Sequence, residues 1–399
     1  MSDARDDRSV LSVFLVFLRL GLTSFGGPIA HLGYFHHEFV TRRRWLSENS
    51  YADLVALCQF LPGPASSQVG IAMGLSRAGY GGALAAWAGF TLPSAVALIL
   101  FAMGIATHPD VVPSGVLHGL KIVAVAVVAQ AVWGMAVKLC TDGRRVTLMV
   151  IAACLVLWVP SAWTQIGVIA AAGIAGRLMF KGPQRVDQDH LSVRISRKTG
   201  LAWLALFFFL LIGLPLLTHV FLNQTLAIVD AFYRVGSLVF GGGHVVLPLL
   251  QTEVVPPGWV SNALFLDGYG AAQAVPGPLF TFAAFLGASI NTAMPGWATG
   301  LICLLAIFAP SFFLVFGALP FWESLRRNTG AQSALAGVNA AVVGLLVAAL
   351  YQPVWSSAIL EAHDFGLALI ALVALVFWKL PPWMVVMGCA VAGWLFSLL

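Results

Sequence analysis

One twelve-residue stretch occurs twice in this chain, and it limits the possible folds more than any other feature. It reads FLRLGLTSFGGP over Phe17–Pro28 and FYRVGSLVFGGG over Phe232–Gly243, 215 positions later. The copies agree at Phe17/Phe232, Arg19/Arg234, Gly21/Gly236, Phe25/Phe240, Gly26/Gly241 and Gly27/Gly242. Each sets one arginine in an apolar run and then interrupts the run with paired glycines. A charge in such a setting is costly without a partner or a watery cavity, so it marks a candidate site. Paired glycines let a helix stop, bare its amides and restart. A helix start beside a guanidinium suits an oxyanion.

The surroundings of the motif point to a membrane. The chain has 399 residues, 60% hydrophobic and 9% charged, where a soluble protein carries roughly 25% charged residues. The expected fold class is an all-α polytopic membrane protein. The net charge of +5 fits basic cytoplasmic loops and leaves no nucleic-acid footprint. Five cysteines (Cys58, Cys140, Cys154, Cys303, Cys389) without paired spacing read as free thiols. Thirteen apolar segments lie near 9–40, 51–75, 79–106, 114–138, 146–160, 162–180, 200–222, 223–250, 262–290, 296–320, 332–352, 364–379 and 382–399.

The duplication runs well past the motif. Glu38 matches Glu253, Trp45-Leu46-Ser47 matches Trp259-Val260-Ser261, and Asp53 matches Asp267. Gln59 matches Gln273, Pro62-Gly63-Pro64 matches Pro276-Gly277-Pro278, and Leu117-His118-Gly119 matches Leu335-Ala336-Gly337. The expected organisation is one repeat in 1–180, a basic cytoplasmic linker in 181–200 and a second repeat in 201–399. Basic residues at Arg42–Arg44, Arg77, Lys138, Arg144, Arg145, Arg177 and Lys181 sit in loops that belong on the cytoplasmic side. The first two segments must then enter and return on that side, using Gly26-Gly27-Pro28 and Pro62-Gly63-Pro64 as turning points. In the second half the loop Gln251–Asn262 has no Lys or Arg and belongs outside. The expectation is two inverted-topology repeats with broken, re-entrant helices: nine full crossings and four re-entrant segments. Thirteen simple spans are the alternative, which strands Arg42–Arg44 outside.

Three groups of residues are candidates for chemistry. Arg19 and Arg234 either snorkel or pair with an acid, or hold one tetrahedral dianion from two sides. The tips offer Ser24, Gly26 and Gly27 with Gly241, Gly242 and Gly243. Ser66, Ser67 and Thr281 follow the Pro-Gly-Pro turns, where helix-start amides carry partial positive charge. Gln59 and Gln273 either donate to a substrate or bond a broken helix. The repeated acids Glu38/Glu253 and Asp53/Asp267 are caps and salt bridges, or proton-carrying and gating groups. Lys121, opposite Asn339, is unrepeated and could pair with an acid. His31, His36 and His37 near Glu38 diverge around a helix and have no counterparts, so no metal site is expected. His244 reads as a satisfied buried histidine. No cofactor is expected, and no serine elbow or phosphate loop supports an intramembrane enzyme.

LRLGLTSFGGP with Gln59-Phe60-Leu61-Pro62-Gly63-Pro64, together with FGGG and Gln273-Ala274-Val275-Pro276-Gly277-Pro278, resembles the bacterial chromate transporter family of the long, two-domain type. The resemblance covers nearly the whole chain except the linker and the ends. It implies a secondary transporter of the bacterial cytoplasmic membrane that exports chromate and confers chromate resistance, with proton coupling expected and sulfate a competitor of like charge and shape. Transport of sulfate or another small oxyanion is the alternative, and a homodimer is left open. Pro28 against Gly243, and Phe60-Leu61 against Ala274-Val275, imply that the halves bind unequally.

Overall fold

The computed structural model describes residues 9–107, 113–180, 195–240 and 243–398. Gly241, Gly242 and most of the expected linker (181–194) lie outside them. The described chain is helical throughout its regular structure, as an apolar environment that cannot hydrogen-bond the backbone requires.

Helix α1 (Val10–Thr23) stops at Ser24, and Gly26 and Gly27 turn the chain with φ of 98° and 76°. Helix α2 (Gly27–His36) then runs into a π-turn, His37–Arg42. Phe17 of α1 packs 5.6 Å from Phe35 and 5.2 Å from Phe39. Residues on either side of the glycine break therefore lie side by side, and the segment is a hairpin. Helix α3 (Glu48–Phe60), capped by Ser47, reaches Pro62-Gly63-Pro64, and α4 (Ala65–Thr107) leads away. The Arg77 guanidinium lies over the Trp45 ring at 4.7 Å, so this segment also returns to its starting level. There α4 breaks at Ala78 and Gly79 and continues as a long apolar helix. Helices α5 (Ser114–Leu139), α6 (Gly143–Trp158) and α7 (Ala162–Met179) complete the first copy, and α8 (Arg197–Val220) follows without a counterpart in it.

The second copy repeats the plan. Helix α9 (Gln224–Leu238) and α10 (Val246–Val254) form one hairpin; α11 (Asn262–Ala274) and α12 (Phe282–Ser289) form the other, with Phe265 and Phe282 5.1 Å apart. Helix α13 (Gly296–Ala318), the short α14 (Trp322–Arg327), α15 (Thr329–Ala349), α16 (Ser356–Ala358), α17 (Ala362–Val376) and α18 (Pro382–Phe396) complete it.

The halves are interleaved. Helix α5 packs on α17 and α18 of the other copy, while α15 packs on α6 and α7. Glycines make both crossings close: a Cβ on Gly115 would sit 2.5 Å from the Gly393 oxygen, and one on Gly176 would sit 2.6 Å from the Ser333 oxygen. The motif itself is largely explained by packing. Phe17 and Phe232 are fully buried. Gly21 lets α1 approach the Gly89 oxygen of α4, with 2.6 Å left for a Cβ, and Gly236 does the same at Ile307 of α13.

Six helices among the described residues are long and apolar enough to cross a membrane; they lie in Ala65–Thr107, Ser114–Leu139, Ala162–Met179, Arg197–Val220, Gly296–Phe321 and Thr329–Ala358. The chain is thus a multi-pass membrane protein. Helices α6, α17 and α18, read from sequence as crossings, have only 16, 15 and 15 residues. At 1.5 Å per residue they reach about 22–24 Å, short of a hydrocarbon core of about 30 Å.

Candidate anion site

The four hairpin tips meet between the halves. The Gly63 N–H donates to the Val239 carbonyl at 2.7 Å, and the Gly277 N–H donates to the Ser24 carbonyl at 2.9 Å. Each Pro-Gly-Pro turn thus satisfies the end of the broken helix in the opposite copy, a reciprocal exchange that relates the halves by an approximate two-fold. Only glycine suits these turns: φ is 120° at Gly63 and 101° at Gly277. A Cβ would also meet the Ser311 hydroxyl at 2.8 Å in the first case and the Ser94 hydroxyl at 2.8 Å in the second. Ser94 and Ser311 follow Pro93 and Pro310, the prolines inside α4 and α13.

His31 is almost fully buried at this junction. Its Nε2 lies 3.2 Å from the Ser24 carbonyl and its Nδ1 lies 3.4 Å from the Ser66 hydroxyl. A carbonyl only accepts, so Nε2 carries the hydrogen and Ser66 donates to Nδ1. Gln68, fully buried, donates through Nε2 to the Pro62 carbonyl at 2.6 Å. Gly27 faces His244, with its Cβ position 3.7 Å from Nε2, and Nδ1 of His244 is 3.1 Å from the Tyr269 hydroxyl.

What distinguishes the junction is a set of buried polar atoms with nothing to bond, most of them donors and one, the Gln68 amide oxygen, an acceptor. The hydroxyls of Ser24, Ser67, Thr91 and Ser311 and the amide nitrogen of Gln273 are buried without a partner. An unpaired buried polar group costs about 1–3 kcal/mol, and native proteins avoid it unless water or a ligand completes the site. Among the described residues that meet here none is acidic, and the starts of α2 and α4 add partial positive charge. The arrangement can receive an acceptor-only anion.

Sequence reasoning named part of this set. Ser24, Ser67 and Gln273 are placed in it as free donors, and Gly26, Gly27, Gly63, Gly277 and their flanking prolines form its turns. Gly243, buried, opens the short 3-10 turn that leads into α10. Ser66 is committed to His31, and the Thr281 hydroxyl donates to the Pro278 carbonyl at 2.8 Å. Gln59, the counterpart of Gln273, is exposed. Thr91, Ser94, Ser311, His31 and Gln68 were missed. The repeated Pro-Ser of Pro93-Ser94 and Pro310-Ser311 was the legible signal for two of them.

The two arginines have different surroundings. Arg234 is held by Asp230 at 2.8 Å and Glu253 at 3.2 Å, under the Trp163 ring. Arg19 is exposed on the face of α1 that also shows Leu11, Leu15 and Leu22, and it forms no ion pair with a described residue. The difference follows from sequence. Position 15, which matches Asp230, is Leu15. Glu38, which matches Glu253, is taken by Arg42 at 2.9 Å and Arg43 at 2.6 Å. The second-copy loop has no arginine to offer, so its glutamate recruits Arg234. Burial pushes the Glu38 carboxyl up, but hydrogen bonds and charge from Arg43 and Arg42 outweigh it and hold it below the usual carboxylate range. Glu38 thus stays ionised at neutral pH, as a salt bridge at the open end of its hairpin. We expect Arg234→Ala, which leaves two neighbouring carboxylates unpaired, to cost about 3 kcal/mol. Arg19→Ala should stay within about 0.5 kcal/mol. Thermal melting of the purified variants checks both.

Of the remaining acids, Asp53 accepts the Trp322 indole N–H at 3.0 Å, and Asp267 lies 3.7 Å from the Lys121 ammonium. His36 pairs with Glu48 at 2.6 Å. No cluster of three metal-ligating side chains occurs among the described residues.

Comparison with known proteins agrees with this architecture. The family model described as Chromate transporter matches residues 11–177 and 226–394, leaving out α8. A protein named an uncharacterized transporter in Methanocaldococcus jannaschii is 30% identical over 87% of this chain and 85% of its own length. A probable chromate transport protein of Synechococcus elongatus is 26% identical over 95% of this chain and 94% of its own. A chromate transport protein of Pseudomonas aeruginosa is 26% identical over 96% and 91%. No solved structure matches the chain.

Proposed function

The chain belongs to the chromate transporter family, and from that premise we propose that it is a non-enzymatic secondary transporter that binds chromate at the junction of its four tips and exports it from the cytoplasm. The observation that carries this reading is the set of five unpartnered buried donors on Ser24, Ser67, Thr91, Ser311 and Gln273. Chromate is a tetrahedral dianion whose four oxygens only accept hydrogen bonds. A largely neutral site of hydroxyls, amides and helix starts can bind it and still release it. Arg19, exposed on α1 five residues before Ser24 and free of acids among the described residues, is the guanidinium we assign to draw the anion toward the protein from a distance.

The transporter is read as sitting in the bacterial cytoplasmic membrane with its first copy opening inward and its second outward. We read the short helices α6, α17 and α18 as crossings met by local thinning of the bilayer; with the six long helices they make four crossings per copy plus α8, nine in all, and invert the second copy. Export of a dianion from a negative-inside cell is favoured by about 4.6 kcal/mol per 100 mV, twice the value per charge. Proton coupling adds to this drive, and export confers resistance. Sulfate, with the same charge and shape, is expected to compete.

The test is chromate uptake into inverted membrane vesicles with the membrane potential and the pH gradient collapsed separately. Uptake that needs the protein, falls when either gradient is removed and is competed by sulfate supports the reading. Uptake indifferent to the protein overturns it. Uptake indifferent to the pH gradient removes the proton coupling.

A further inference from the structure

The start of α6 carries its charge against the helix. Its cap is Asp142, and Arg144 and Arg145 follow in the first turn. A helix N-terminus already bears partial positive charge, so cations are disfavoured there. Asp142 offsets one of them: its Oδ1 accepts the Arg145 backbone N–H at 3.0 Å, and its Oδ2 lies 3.3 Å from Arg145 Nε. Arg144 is exposed, donates to the Met179 carbonyl at 3.3 Å and forms no ion pair with a described residue. With two guanidiniums against one carboxylate, the cluster keeps one positive charge in excess.

The fold does not ask for these arginines. The corresponding helix of the other copy, α17, opens on Glu361, Ala362, His363 and Asp364, and Asp364 closes its first turn by accepting the Glu361 N–H at 3.1 Å. Loop charge that sets orientation explains why α6 is basic, but not why a guanidinium is held in place. Arg145 donates to the Thr141 hydroxyl at 3.0 Å and lies over the Phe180 ring, 5.1 Å from its centre. Its Nε is buried with no hydrogen-bond partner.

Beside these groups is a cavity of about 680 Å³, lined by Asp142, Gly143, Arg144, Arg145, Met179 and Phe180. Small-molecule sites occupy about 300–1,000 Å³. Exposed apolar side chains follow within two turns on both helices: Val146 and Val150 on α6, Ile174 and Leu178 on α7. An occupant thus meets positive charge at one end and hydrocarbon surface next to it. Helix α6 is also short, its 16 residues reaching about 24 Å against a core of about 30 Å. A short span is met by a thinner bilayer and by long flanking side chains that reach the headgroups.

We propose that this cavity, between the first turn of α6 and the end of α7, binds the phosphate of an anionic phospholipid. Arg144, Arg145 and the α6 start take the phosphate, and the acyl chains lie along the exposed faces of both helices. The bound headgroup neutralises the excess charge and pins the short helix to the membrane surface. The site is separate from the tips and does not depend on what they bind.

The test is native mass spectrometry of the full-length protein, purified in detergent and titrated with phosphatidylglycerol, with phosphatidylcholine of equal chain length, or with inorganic phosphate. Wild type is expected to bind its first phosphatidylglycerol about tenfold or more tightly than either alternative, because the hydrogen bonds go to a charged group. Arg144→Gln/Arg145→Gln should lose that preference. Arg197→Gln/Lys198→Gln removes the same charge at the start of α8, outside this cavity, and should keep it. If the α6 double variant does not fold, Arg144→Gln alone, at the exposed arginine, gives the same readout with a smaller loss. Equal binding of the two lipids by wild type, or an equal loss in the α6 and α8 variants, overturns the proposal. Inorganic phosphate held as tightly as phosphatidylglycerol assigns the site to free phosphate and overturns the lipid.

Discussion

Alanine at Gly63 or Gly277 is expected to abolish the proposed chromate transport. Both glycines sit at φ near 100–120°, a region closed to side chains and costing about 1–3 kcal/mol on its own. An added methyl would also press on the Ser311 or Ser94 hydroxyl. Neither turn can shift to relieve this, because its N–H is the donor that ties the two copies together. The combined cost should be about 3 kcal/mol or more, with the two changes equivalent because the bonds are reciprocal. Vesicle flux assays of each variant check the loss. Full transport by either would mean that the junction tolerates rearrangement.

The second large effect separates affinity from stability. Ser24→Ala, Ser67→Ala and Ser311→Ala each remove a donor that is unpaired in the free protein. A hydrogen bond to a charged group is worth about 1.5–3 kcal/mol, so each change should weaken chromate binding about tenfold or more, and any two together about a hundredfold. The same changes delete a buried group that has no partner, so the anion-free protein should melt at the same temperature or higher. A purely structural serine behaves in the opposite way, losing stability and leaving affinity intact. Calorimetric chromate titration beside thermal melting distinguishes the two.

Much of the architecture was legible before any coordinates. Membrane class, duplication and the turning points follow from composition, from matching residues such as Glu38/Glu253, and from glycine and proline at fixed places. The basic loops predicted hairpins, and the pairings Phe17–Phe39 and Trp45–Arg77 are what a hairpin requires. Partnership across the halves was harder to read. A repeat shows that Arg19 and Arg234 correspond, but what each touches depends on unrepeated neighbours, Leu15 against Asp230 and Arg42–Arg43 against a loop without arginine. Thr91 and Ser311 were invisible for another reason. A lone hydroxyl in a long apolar helix normally bonds its own backbone, and only the three-dimensional junction shows that these two do not.

The central claim, that unpaired donors at the four tips receive the anion, is tested most directly by locating chromium in the chromate-bound protein, from its anomalous scattering or its density. The account predicts one tetrahedral anion within hydrogen-bond distance of the Ser24 and Ser67 hydroxyls and the Gln273 amide. Chromium held elsewhere, with those groups still unpaired, would contradict it.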